Sequence, residues 1–183
     1  MSMANDKQRV SLTKTCRQYR NLQVKRIHDY RSKPHTAAQK EKTREDCWDL
    51  PIVVVSCASS NCQQIVSNGR NSSRLKTPGS VVKCAYSNIL GLDGKPSGMS
   101  VTLGKAPDQK LKALFGFSGK HANIAGRCAE PHAANGLENK LAKKKCPAPN
   151  LSELVFSDAL DVATGAVKPY CPTCQMAFPQ LRK

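Results

Sequence analysis

Two short segments constrain this chain more than any other feature. Gly126-Arg127-Cys128-Ala129-Glu130-Pro131-His132-Ala133-Ala134-Asn135 carries Cys-x-Glu, and Lys168-Pro169-Tyr170-Cys171-Pro172-Thr173-Cys174 carries Cys-x-x-Cys. Cysteines at i and i+3 can both reach one metal ion from the first turn of a helix, where the dipole also favours thiolate. Cys128 would complete a set of three from a second helix. Three protein ligands leave the fourth zinc position open, and zinc held that way lowers the pKa of its water to about 7. Glu130 lies two residues beyond Cys128, placed to stand beside such a water without binding the metal. It would take the water's proton and pass it on during reaction. The bland alternative is a closed structural site with His132 as fourth ligand, or a coincidence of buried cysteines. A lone Cys-x-x-Cys would favour that alternative; Glu130 in its place favours the open site.

The combined pattern resembles the cytidine-deaminase superfamily. More narrowly, GRCAEPHAAN…ATGAVKPYCPTCQMAFP is similar to the toxin-type deaminases of bacterial polymorphic toxin systems (YwqJ-like), distant relatives of the AID/APOBEC enzymes. The likeness covers roughly the C-terminal third. It implies a three-layer α/β/α sandwich, a mixed β-sheet flanked by helices, with zinc at two helix N-termini. Residue by residue, Cys128, Cys171 and Cys174 match the family's zinc ligands and Glu130 its proton shuttle. One zinc per chain is implied, together with hydrolytic conversion of cytosine to uracil in nucleic acid, with single- or double-stranded DNA favoured over RNA. Cytosine stands ahead of adenine, and toxin-type relatives are held by an immunity protein. Two departures stand out. Pro169 sits one residue early, and nine residues follow Cys174, so the further strand–helix–strand of many relatives is not expected.

Charge narrows the partner. The chain of 183 residues has a formal net charge of +16, with 12 basic and 6 acidic side chains in residues 1–50 and 17 and 7 in residues 51–183. Such an excess favours polyanions, nucleic acid first and anionic membrane second. A free nucleoside gains little from it, whereas a phosphate backbone gains a great deal. A free-nucleoside deaminase and a non-catalytic, zinc-containing nucleic-acid-binding module are the competing readings. We divide the chain into a basic N-terminal helical extension and linker (1–50) and a catalytic domain (51–183).

If three of the nine cysteines hold metal, Cys16, Cys47, Cys57, Cys62, Cys84 and Cys146 remain. The first 50 residues lack the apolar core of a signal peptide, and nothing approaches a transmembrane span. The cysteines therefore read as reduced and the site of action as intracellular, cytoplasmic or nuclear. Isolated buried thiols are favoured over a second metal site built from Cys57, Cys62 and Cys84.

Leu12, Cys16, Tyr19, Leu22, Ile27 and Tyr30 recur at helical steps and predict an amphipathic helix from about Ser11 to Ser32. It could pack on the domain, contact nucleic acid, or serve as an Arg-rich mitochondrial presequence; packing is the default. Pro51–Cys57 is a β-branched run and predicts a buried strand. Asn68–Ser80 reads as a flexible basic loop, Val81–Tyr86 and Met99–Leu103 as strands, and Leu111–Phe117 as either strand or helix. The loop 118–126 enters the Cys128 helix and so borders the pocket, making His121 and Asn123 candidate substrate contacts. Ala129 is a further candidate, and Tyr170 and Phe117 are candidate platforms for a stacked base. The site helix should run to about Lys145, and Leu151–Val162 should supply a strand, with a helical start at Ser152 as the alternative.

Overall fold

The structure is a computed structural model and describes residues 3–39, 51–58, 61–71, 81, 85 and 128–182. Its elements are α1 (Met3–Ser32), β1 (Pro51–Cys57), β2 (Val66–Arg70), α2 (Ala129–Lys143), β3 (Leu154–Phe156), β4 (Ala159–Asp161), β5 (Val167–Lys168) and α3 (Pro172–Ala177). Short 3-10 turns lie at Leu151–Glu153 and Pro179–Leu181.

Among the described residues, β1 is the axis of a five-stranded sheet. Ile52-Val53-Val54-Val55 suits a pleated strand packed on both faces, because β-branched side chains fill that surface well. All six residues from Ile52 to Cys57 are buried. β2 pairs along one edge of β1, with Val54 opposite Asn68. The other edge is shared: β4 meets it at Ile52 (opposite Leu160) and β3 at Val55 (opposite Phe156). β5 then pairs with β4. Every ladder among the described strands is antiparallel, where a mixed sheet was expected.

Ser157 explains why Leu151–Val162 is not one strand. Its N–H donates to the Val54 carbonyl, and its hydroxyl oxygen accepts from the Val54 N–H, both at 2.8 Å. A side-chain oxygen thus stands in for a ladder carbonyl, and β3 and β4 part on either side of it. Residues 151–153 form a 3-10 turn closed by a capping box between Asn150 and Glu153.

The alternation of β1 builds three layers. Val53 and Val55 pack with Ala133, Ala134, Leu137 and Leu141 of α2 and with Ala177 and Phe178 at α3. Ile52 and Val54 face the other way, against Leu12, Cys16 and Ile27 of α1, with Leu160 and Val162. Burying each such aliphatic side chain stabilises the fold by roughly 1.5–3 kcal/mol.

Of the three readings of the N-terminal helix, the structure has the packed one. Gln8 donates to the Cys57 carbonyl at 2.9 Å, and Arg20 donates to the carbonyls of Val162 and Ala163 at 2.8 and 2.9 Å. Arg9 pairs with Asp158 at 3.1 Å, and Thr13 Oγ1 accepts the Asp158 N–H. The helix starts at Met3, well before Ser11. Its buried face takes in Gln23, while Leu22, expected inside, is 52% exposed.

Three further expectations are corrected. Asn68–Arg70 belongs to β2 and not to a loop, because its small residues let α2 lie close. A Cβ on Gly69 would stand 2.8 Å from Ala133 Cβ and closer still to the Ala129 carbonyl, and Gly136 is likewise pressed against Ser67 Oγ. Val81 and Ala85 are helical and buried, where a strand was expected. Cys62 and Cys146 form a disulfide across 84 residues, with Cα atoms 6.6 Å apart, so the cysteines are not all reduced. Lys145, at φ 56°, follows the end of α2, and the next residue is Cys146, bridged to Cys62 in the β1–β2 connection. Cys16 and Cys57 are buried and outside any disulfide, as expected. Cys47, Cys84, Met99–Leu103 and Leu111–Phe117 lie outside the described residues. No helix among the described residues is long and apolar enough to cross a membrane.

Candidate metal centre

α2 and α3 both begin at a cysteine. Cys128 is the N-cap of α2 and Cys171 the N-cap of α3, each in extended backbone (φ −65°, ψ 160° and φ −67°, ψ 151°). Two sequence features favour these starts. Pro131 lies within the first turn of α2 and Pro172 opens α3, where a missing N–H costs no helical bond. The close approach at Gly69 then pins the N-terminal turn of α2 on β2. The entry to α3 is held by Tyr170, whose hydroxyl donates to the Ser157 carbonyl at 2.5 Å and whose carbonyl accepts from Gln175 at 2.8 Å.

The result is convergence. The sulfurs of Cys128, Cys171 and Cys174 all lie within 4.8 Å of one another. Cys128 and Cys171 are 3.5 Å apart, and Cys171 Sγ also accepts the Cys174 N–H at 3.3 Å. The Cys174 thiol donates to Glu130 Oε2 at 3.3 Å. Cys128, Cys174 and Glu130 are at most 4% exposed, while Cys171 is half-buried. His132, the candidate fourth ligand, is not one of this group.

Without a cation this cluster is electrostatically uncomfortable. The hydrogen bond with Cys171 is the largest influence raising the Cys128 thiol, with burial adding to it. Burial comes first for Cys174, followed by the neighbouring sulfurs. Glu130 is pushed up to about 7, by burial first and then by the charge of a Cys171 thiolate. A metal ion reverses this logic, since it favours the thiolate form of its ligands. The donors fit such an ion: tetrahedral zinc with Zn–S near 2.3 Å separates its sulfurs by about 3.8 Å. Three soft sulfurs at this spacing are compatible with zinc.

The substrate contacts expected from the sequence fare differently. Ala129 is fully buried, with its backbone against Gly69, and serves to seat the helix. Tyr170 is 8% exposed and its hydroxyl is taken. It lines a cavity of about 260 Å³ together with Asn5, Arg9, Phe156 and Leu181, and none of the cluster residues lines that cavity. His121, Asn123 and Phe117 lie outside the described residues. Sequence reasoning missed Ser157 and Gly69. Gly69 carried a usable signal, since an isolated glycine beside alternating residues marks a close backbone approach. No family model, curated protein or solved structure matches this chain.

Proposed function

We propose that this protein is a zinc-dependent hydrolytic deaminase that converts cytosine to uracil in nucleic acid. One observation carries the reading: two segments 43 residues apart meet so that three sulfurs converge and the Glu130 carboxylate stands 3.3 Å from one of them. Helices on both faces of the sheet and a cysteine at two helix N-termini agree with a cytidine-deaminase-like sandwich.

Cys128, Cys171 and Cys174 would hold the metal as thiolates. Zinc bound there supplies a Lewis acid and a water acidic enough to give hydroxide near neutral pH. Glu130 is the proton carrier. Its carboxylate accepts a proton from water, delivers it to the ring nitrogen and returns a proton to the departing amine. Cytosine and water thereby become uracil and ammonia, with no proton lost. The target base must be extruded or already unpaired, since its amino-bearing carbon is unreachable in a stacked duplex. The net charge of +16 supports a polynucleotide over a free nucleoside.

The test is C-to-U conversion, read by sequencing, on matched single-stranded DNA, double-stranded DNA and RNA, with free cytidine alongside. We expect conversion in a polymer, reduced at least ~10²–10⁴-fold by Glu130→Gln. Conversion of cytidine alone would move the protein to nucleoside chemistry. No conversion with zinc bound would leave adenine substrates or a structural-zinc module.

A further inference from the structure

We infer that the outer face of α1 is a binding surface for the phosphate backbone of nucleic acid, on the side of the sheet opposite the cysteine cluster. This rests on the nucleic-acid part of the proposal above and not on its chemistry.

The helix carries eight basic and two acidic residues between Met3 and Ser32. Two of the eight are turned inward: Arg9 pairs with Asp158, and Arg20 donates to the carbonyls that follow β4. The other six, Lys7, Lys14, Arg17, Lys25, Arg26 and Arg31, are all exposed. None of these six makes an ion pair with a described residue. Arg31 lies in the last turn, where a positive charge suits the helix dipole; the other five are not needed to hold the helix to the sheet.

Their spacing makes a ridge. Lys7, Lys14 and Lys25 follow one another at seven and eleven residues, close to two and three turns of an α-helix. They therefore lie along one line, opposite the stripe of Leu12, Cys16 and Ile27 that faces the sheet. Arg17 and Arg31 flank the line on one side and Arg26 on the other. From Lys7 to Lys25 the helix rises about 27 Å, the length of roughly eight base steps. Three positive charges along that length can each meet a phosphate of a backbone laid across the helix, and lysine binds phosphate as a point charge.

A lipid surface fits less well. An interfacial helix inserts an apolar stripe, and the apolar stripe of α1 is already spent on β1. What remains outside, Met3, Val10 and Leu22, is scattered and forms no stripe.

The cluster sits in the layer of α2 and α3, and the ridge lies beyond α1. A strand engaged by one must curl round the sheet edge to reach the other, so the ridge would anchor the polymer while a distant stretch is presented to the site.

The test uses the intact protein and fluorescence anisotropy with a labelled duplex and a labelled single strand, across about 50–200 mM salt. Lys7→Gln, Lys14→Gln and Lys25→Gln together should lower the slope of log affinity against log salt by about 2.7 on duplex, or about 0.9 for each phosphate no longer neutralised. Melting should stay unchanged, confirming the fold. A control of equal charge loss, Lys143→Gln, Lys144→Gln and Lys145→Gln, should leave most of the slope intact. An unchanged slope in the ridge variant, or equal losses in both, overturns the inference. Ridge-dependent binding to phosphatidylserine vesicles without binding to either nucleic acid also overturns it. Absence of conversion activity with the slope shift intact leaves this inference standing and removes only the proposed chemistry.

Discussion

The two faces of β1 both bury cysteine, and they do different things with it. On the α1 face Cys16 is fully buried beside Ile52, Val54 and Leu160, and its thiol donates to the Ile52 carbonyl at 3.4 Å. Burial pushes it up to about 11, against a smaller opposing hydrogen bond from Ser157. It behaves as an inert, largely apolar side chain. On the α2 face three sulfurs and a carboxylate crowd together where two helices begin. The lesson is that burial alone leaves a thiol quiet, whereas convergence places several where they could hold one metal ion. The means of holding the layers differ too. Side-chain bonds from Gln8, Thr13 and Arg20 fasten α1. The site layer relies on a glycine-sized approach and a disulfide, which fix α2 at both ends.

This contrast can be broken in several ways, and the disulfide should show the largest effect. A loop closed across 84 residues is worth about 4–5 kcal/mol in the chain-entropy view. Cys62→Ala with Cys146→Ala should therefore lower the denaturation midpoint strongly. Reducing agent should do the same to the native protein and nothing to the variant. Gly69→Ala comes next: the added methyl has no room against α2, and we expect a loss of about 3 kcal/mol in chemical denaturation. It should weaken metal binding as well, because it pushes away the turn that carries Cys128.

Smaller effects sharpen the other side. Cys16→Ser places a hydroxyl in an apolar layer and should cost about 1–2 kcal/mol without changing metal content. The smallest concerns Asp161. Partial burial works to raise its carboxyl, but Lys168 at 2.6 Å and the Thr164 N–H at 2.9 Å outweigh it, so the carboxyl is held below its ordinary value. A depressed acid stabilises the fold above its unfolded pKa, near 4, and that contribution is lost as pH falls through the folded value. Asp161→Asn should thus cost about 1 kcal/mol at neutral pH, and the difference should vanish in acid.

Much of the site was legible because its chemistry dictates spacing. The convergence of Cys128, Cys171 and Cys174, with Glu130 beside it, could be read directly, since groups that reach one point from a helix turn must fall at fixed intervals. β1 was legible because a run of Ile and Val has few other uses. What stayed hidden depended on partners distant in sequence. Asn68–Arg70 reads as the start of a loop, and only α2 lying on it makes small polar residues sensible in a strand. Ser157 interrupts β3 and β4 through a bond to Val54, 103 residues away. The Cys62–Cys146 bridge has no local signature. Leu22 and Gln23 exchanged roles through the phase of one long helix, which two apolar residues more or less do not determine.

The most direct measurement is the zinc content of the purified protein by elemental analysis, with single-residue variants from both faces. We predict one zinc per chain in the native protein, in Cys16→Ser and in Glu130→Gln, and its loss in Cys128→Ser and Cys174→Ser. Zinc retained in Cys174→Ser, or absent from the native protein, would contradict a metal centre at this convergence of sulfurs.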